Sequence, residues 1–283
     1  FIFYHGTYKR WHEATAREGV ADESLRQVVV HAGRTLALRF NDKAGCLRSF
    51  LAENSNFIDI MMNVGIIFYA ANQSGDDALL DLAHRHCLTT RRTLVRGDGS
   101  AAHEGIFDLE TGEFLRQSTQ QGYRGDSCWS RGLAWSLYGF GTSYELTRNP
   151  VYLQTAQANA DYWMAQTAKD PVAPWDFDAP ATGPLSRSIK DTSASAIAAS
   201  GLFNLAEYSQ DLTQRMAYTQ HALDTVDALC SHYLGVGGDG WEGILRGGVY
   251  HIHKGIGVNE SVMWGEFFFV EALQKAMRLL RSW

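Results

Sequence analysis

Apolar residues recur along this chain mainly at the three-to-four-residue spacing of helices. The pattern predicts nine helices, near 1–15, 21–40, 57–73, 76–95, 128–146, 149–168, 191–210, 212–234 and 260–280. Several starts are marked by residues that cap free backbone N–H groups. Asp126 or Ser127 can open the helix that carries Trp129, Asn149-Pro150 opens the next, and Asp191 another. Few stretches read as extended. Gly105–Leu109 and Glu113–Gln117, joined by a Glu-Thr-Gly turn, are the clearest pair.

The helices alternate in character. Those beginning near 1, 57, 128, 191 and 260 are rich in small, aromatic and Met residues and poor in charge. Ile58–Ala71 and Thr192–Leu205 are apolar nearly all round, as helices buried on every side are. Their partners near 21, 76, 149 and 212 have ordinary charged faces. The buried type recurs at roughly 55–70-residue intervals, which is one helical hairpin per unit. The expected architecture is therefore all-α, a single-domain α/α toroid over 1–283 in which inner helices are wrapped by outer ones. A superhelical array of helix pairs is the rival, but it would have shorter units and shorter connections. Here the segments 96–127, 169–190 and 235–259 are long, and long connections at one end of a barrel are where a site is built. Six hairpins would close the ring, so three helices are wanting. The opening Phe1, with no cap before it, puts that shortfall at the N-terminus. Phe1, Phe3, Tyr4, Met263, Trp264, Phe267 and Phe268 would then face an open edge.

Composition narrows the function more than the fold. A net charge of −6 gives no reason to expect nucleic acid or an anionic membrane as partner. An anionic ligand would need local basic residues. No apolar run reaches membrane-spanning length. Cys46, Cys87, Cys128 and Cys230 lie far apart and read as buried thiols, not as a metal or disulfide framework. Aromatic residues make up 12% of the chain, which suits a sugar site but also a large helical core.

Uncommon polar residues gather at the starts of the buried helices. Asp59 sits beside Phe57, Met61 and Met62. A poorly solvated carboxyl there suits a general acid, although Asp59 could equally be the N-cap of the 57–73 helix. Gln121 and Tyr123 precede Trp129, Arg131 and Trp135. Arg131 and Trp135 share a helix face, and Trp129 would flank the same mouth. Arginine suits a carboxylate and tryptophan a sugar face, but a buried Arg neutralised by Asp126 among core tryptophans fits as well. His103 stands in a loop. The segment RGGVYHIHKG brings Arg246, His251, His253 and Lys254 together, without the third ligand a metal site needs. Asp98-Gly99 and Gly237–Gly240 are turn signals, and no phosphate-binding fingerprint is present. Neither metal nor cofactor is expected.

Taken as strings, these segments resemble glycoside hydrolase family 88, the unsaturated glucuronyl hydrolases. IDIMMN is similar to the family's Ile-Asp-x-Met-Met-Asn, and QGYRGDSCWSRGLAW to its Gln-Gly-Tyr-x-Asp-Asp-Ser-x-Trp-Ala-Arg-Gly-Gln-Ala-Trp. DTSASAIAASGL and GVNESVMWGEFFFVEAL resemble its later helix starts. The likeness runs from Phe1 to about Leu280. It implies an α/α toroid of six hairpins with Asp59 as catalytic acid/base. It places His103, Gln121, Trp129, Arg131 and Trp135 around a terminal 4,5-unsaturated uronate cleaved from glycosaminoglycan oligosaccharides. Lys254 is expected to reach a sulfate or second uronate on the leaving sugar. Departures from the signature include Gly125 in its doubled Asp and Leu133 in place of Gln. The family's second active-site Asp belongs to a His-Asp-x-Gly-Phe motif, and Phe1 matches the Phe that closes it. The sister activity on unsaturated rhamnogalacturonan is one alternative, and a catalytically inactive carbohydrate-binding relative another. A cytoplasmic enzyme is expected, with the periplasm as alternative. The sequence leaves the oligomeric state open.

Overall fold

The computed structural model describes residues 2–235 and 240–281. Phe1 and most of the expected Gly237–Gly240 turn lie outside the described residues. Nine α-helices are present among them: α1 (Tyr8–Arg17), α2 (Glu23–Ala37), α3 (Met61–Ser74), α4 (Asp77–Leu94), α5 (Ser130–Thr147), α6 (Pro150–Gln166), α7 (Thr192–Tyr208), α8 (Leu212–His232) and α9 (Met263–Arg281). α3, α5 and α7 are buried along nearly their whole length. They pack side by side, with α9 against α7, while α2, α4, α6 and α8 wrap them from outside. This is the arrangement of an α/α toroid.

Sequence explains the alternation. The inner helices carry Gly, Ala and Ser where neighbours come close, and Gly139 on α5 is the sharpest case. A Cβ there would lie 2.6 Å from the Met61 backbone, so only glycine lets α5 approach the first turn of α3. The outer helices have solvated faces and capped starts. Asp76, Asn149 and Asp211 each accept a backbone N–H of the first turn.

The two ends of the arc differ from expectation. The chain does not form one buried helix over 1–15. Ile2–Gly6 form a π-helical turn that buries Tyr4 and His5, and α1 follows with no buried residue. In α9 only one stripe is buried, including Phe268 and Phe269. Of the side chains expected at an open edge, Phe3 and Met263 are exposed, Trp264 and Phe267 half-buried, and Tyr4 and Phe268 buried. α1 and α9 face each other across a polar cavity of about 370 Å³. Arg10 bridges it, paired with Glu271 and lying over the Phe267 ring.

Short strands do the positioning that helical periodicity could not foretell. β3 (Ser55–Phe57), β4 (Glu104–Phe107) and β5 (Phe114–Ser118) form an antiparallel sheet, after a small β1 (Phe40–Asn41) and β2 (Cys46–Leu47) pair. The β4–β5 hairpin is the expected one. β3 was not expected: residues 55–57 are strand, Ile58–Ile60 a 3-10 turn, and the helix begins at Met61 rather than 57. The segment before α9 is likewise a hairpin of β6 (Gly248–His251) and β7 (Ile256–Glu260), closed by a 3-10 turn at Ile252–Lys254.

Candidate active site

Residues at the starts of α3, α5 and α9 line one cavity, and Asp191, just before α7, pairs with Arg131 there. The β3–β4 ladder sets the first pair. Phe57 pairs with Glu104, and the Ile58 N–H donates to the His103 carbonyl at 2.9 Å. Asp59 and His103 therefore emerge together at the end of that ladder. Oδ2 of Asp59 lies 3.5 Å from Nε2 of His103, and both atoms are buried without a hydrogen-bond partner. The rest of the Asp59 side chain is open, leaving it 31% exposed toward a cavity. It caps neither the 3-10 turn nor α3, so the N-cap alternative does not hold.

The cavity has a volume of about 500 Å³. Its walls come from Gly6, Thr7, Asp59, Met62, Asn63, Gln121, Arg131, Trp135, Tyr250, Met263, Trp264 and Phe267. Asp59 is the one carboxylate among these described lining residues, and most of the remaining wall is aromatic or apolar.

Arg131 is the hub of that wall. Only 2% of its side chain is exposed. Nη1 donates to Oδ2 of Asp191 at 2.8 Å and to the Val249 carbonyl, and Nη2 to Oε1 of Gln121 and the Tyr250 carbonyl, both at 2.7 Å. Its guanidinium lies between the Trp129 and Trp264 rings, 4.4 and 5.1 Å from their centroids. Burial pushes its pKa below the usual arginine range, against the pull of Asp191 and Asp59. Asp191 does two jobs: Oδ1 caps α7 and Oδ2 balances Arg131. The expected neutralising partner, Asp126, instead pairs with Arg124 at the surface.

Gln121 and Trp135 stand on the cavity wall, as Asp59 does. His103 and Trp129 do not. His103 is buried, stacked on Phe57 at 4.8 Å and tilted against Trp129 at 4.6 Å. Trp129 is buried beneath Arg131, so it supports the guanidinium and offers no face to a sugar. These two are a second layer behind Asp59 and Arg131, because the β3–β4 sheet and the Trp175–Asp178 segment cover them. Tyr123 packs edge-on against Trp175, and Arg246 lies over Trp241. His253 donates from Nε2 to the Gly122 carbonyl at 2.8 Å, tying the β6–β7 hairpin to the Gln121 segment. Lys254 is exposed in the 3-10 turn of that hairpin and is not on the cavity wall. Among the described residues no cluster of His, Cys, Asp or Glu could hold a metal.

The model of Glycosyl Hydrolase Family 88 matches residues 48–278. The chain belongs to this family. It is 34% identical to the unsaturated glucuronyl hydrolase of Bacillus sp. (strain GL1), over 91% of this chain and 69% of that protein. It is 30% identical to the unsaturated chondroitin disaccharide hydrolase of Streptococcus pyogenes serotype M1, over 91% of this chain and 65% of that one. The crystal structure of the Bacillus sp. GL1 enzyme, responsible for the degradation of glycosaminoglycan, superimposes with a TM-score of 0.89 at 32% identity, covering this whole chain and 74% of that one. The chain thus spans about two thirds of the length of its curated relatives.

Several wall residues of this cavity carried no signal of a site in the sequence. Met62 stood out only as an apolar neighbour of Asp59, Met263, Trp264 and Phe267 only as side chains of an open edge, and Asn63 only as part of a string that resembled the family. Tyr250 is brought in by the β6–β7 hairpin, which helical periodicity cannot foresee.

Proposed function

We propose that this family 88 chain carries the site that releases a terminal 4,5-unsaturated uronic acid from glycosaminoglycan-derived oligosaccharides by hydrating its double bond. The observation that carries this reading is Asp59, the one carboxylate among the described residues that line this cavity, facing a wall that is mostly aromatic and apolar. Hydration of a vinyl ether needs one group that can give a proton and then take one. Asp59 protonates carbon 4, leaving oxocarbenium character at carbon 5. The carboxylate then takes a proton from water as the water oxygen bonds to carbon 5. In the resulting hemiketal the bond from carbon 5 to the ring oxygen breaks, giving a ketone. The hemiacetal left at carbon 1 collapses to an aldehyde and frees the remaining sugar.

An anionic ligand fits this corner of an acidic protein. α3 and α5 start beside the cavity with no side-chain cap, and helix N-termini favour negative charge. Buried Arg131, balanced by Asp191, holds Gln121 in place, and Gln121 offers an amide donor. Trp135 and Trp264 supply flat surfaces for sugar rings. Lys254, on the hairpin that contributes Tyr250, is assigned to a sulfate or second uronate further along the substrate. Four free cysteines suit a reducing compartment, and we place the enzyme in the cytoplasm.

The deciding experiment follows loss of the unsaturated-uronate absorbance with defined chondroitin, hyaluronan and heparin disaccharides. A saturated glucuronide of the same linkage is the control. Turnover of the unsaturated compounds alone is expected. Equal cleavage of the saturated control would overturn the hydration mechanism, and inertness toward all three unsaturated classes would overturn the substrate assignment.

A further inference from the structure

The Asp59–His103 contact has a third member that fixes its chemistry. Nδ1 of His103 accepts the Gln120 backbone N–H at 3.1 Å, and the Gln121 N–H lies 3.4 Å away. A backbone N–H can only donate, so Nδ1 must present its lone pair there. The Thr119 hydroxyl also lies 3.1 Å from Nδ1. Its oxygen accepts the Gly122 N–H at 2.7 Å, which leaves its own hydrogen free to point at the ring nitrogen. A hydrogen on Nδ1 would meet these donors head-on. The ring hydrogen therefore sits on Nε2, and Nε2 faces Oδ2 of Asp59. Phe57 and Trp129 both pack against the imidazole and restrict its rotation. Oδ2 is buried while the side chain as a whole is 31% exposed, so Oδ1 is the oxygen open to the cavity.

We propose that Thr119 is a positioning residue of the reaction. With the Gln120 N–H it holds His103 in the Nε2–H tautomer, which engages Oδ2 of Asp59 and reserves Oδ1 for proton exchange with the substrate. This rests on the reading of Asp59 as acid/base. An approach of about 0.5 Å turns the present contact into a hydrogen bond of normal length. Second-layer partners of this kind set which nitrogen of a histidine is the donor. Thr119 is the one side chain among the three donors to Nδ1, and so the one that substitution can remove.

The test pairs a spectrum with kinetics. The full chain, labelled with ¹⁵N-histidine and assigned through His103→Gln, reports the tautomer without substrate. The wild type is expected to carry its hydrogen on Nε2. Thr119→Val keeps the shape at a half-buried position and removes the hydroxyl. It is expected to shift the Nδ1 resonance and lower kcat about tenfold with KM within about twofold, and Thr119→Ser to restore both. An Nδ1–H tautomer in the wild type overturns the proposal, as does Thr119→Val with unchanged kcat. A rise in KM with kcat intact also overturns it, because Thr119 would then only shape the Gln121 turn. If the wild type turns over no unsaturated uronoside, the functional reading fails by itself while the spectrum still decides the tautomer.

Discussion

Nη2 of Arg131 donates to Oε1 of Gln121 at 2.7 Å. Arginine has no acceptor, so the oxygen of the Gln121 amide must face it, and the amide NH₂ is what Gln121 can offer the cavity it lines. With its other Nη bonds to Asp191, Val249 and Tyr250, Arg131 has spent all four Nη hydrogens inside the protein. The planar fork expected to grip the substrate carboxylate is thus committed to holding the wall, and its charge acts at short range through Gln121.

This gives two separable outcomes. Gln121→Glu keeps the bond to Arg131 but turns a negative oxygen toward an anionic ligand. KM is expected to rise at least tenfold with folding unchanged. Arg131→Lys cannot make four directed bonds and leaves Asp191 and two carbonyls short of partners. It is expected to lose up to roughly 3–5 kcal/mol of stability in urea unfolding, the scale for breaking a buried pair. An Arg131→Lys protein of normal stability that has lost only affinity would make Arg131 a direct clamp instead.

Asp59→Asn keeps size and shape and removes the proposed proton donor. Turnover should fall at least about 100-fold, the scale for a lost general acid, while disaccharide binding measured by calorimetry persists. Near-normal turnover would remove Asp59 from the mechanism.

Helices were legible because burial on all sides and burial on one side leave different patterns, and the alternation of α3, α5 and α7 with α4, α6 and α8 follows directly from it. The strands were not. β3 is three residues long and β6–β7 lies in a Gly- and His-rich segment, so neither shows a period. That mattered at the site, since β3 moves Asp59 out of the helix and β6 delivers Tyr250 and the carbonyls that bind Arg131. Depth was also hidden. The spacing of Trp129, Arg131 and Trp135 placed them near one mouth, but only packing shows that Trp135 lines the cavity while Trp129 lies beneath the guanidinium.

Lys254 tests how far the site extends. It is exposed at the end of the 3-10 turn joining β6 and β7, and His253 beside it anchors that turn to Gly122. A rim cation of this kind contributes about 1 kcal/mol or less. Lys254→Ala is expected to raise KM up to about fivefold for a sulfated disaccharide and to leave its unsulfated counterpart unchanged. Equal effects on both would reject the sulfate role.

Glu271 makes the stability of the ring depend on acid. It is buried, accepting Tyr138 Oη at 2.9 Å and Ser200 Oγ at 2.7 Å, with Lys275 at 3.5 Å and Arg10 also paired to it. Burial pushes its pKa up, but Lys275, Ser200, Arg10 and Tyr138 together outweigh it and bring the carboxyl from 4.5 down to about 2. A depressed carboxyl stabilises the fold fully above its unfolded pKa, and that contribution fades as pH falls toward the folded one. The window therefore runs from about pH 4.5 down to about 2 and is worth on the order of 3 kcal/mol. Urea midpoints measured from pH 6 to 3 should show wild type well above Glu271→Gln at the top of the range, with the gap narrowing below pH 4.5. A gap that stays constant to pH 3 would mean that Glu271 gains nothing from ionising in the folded chain, and that Lys275 and Arg10 hold it by shape alone.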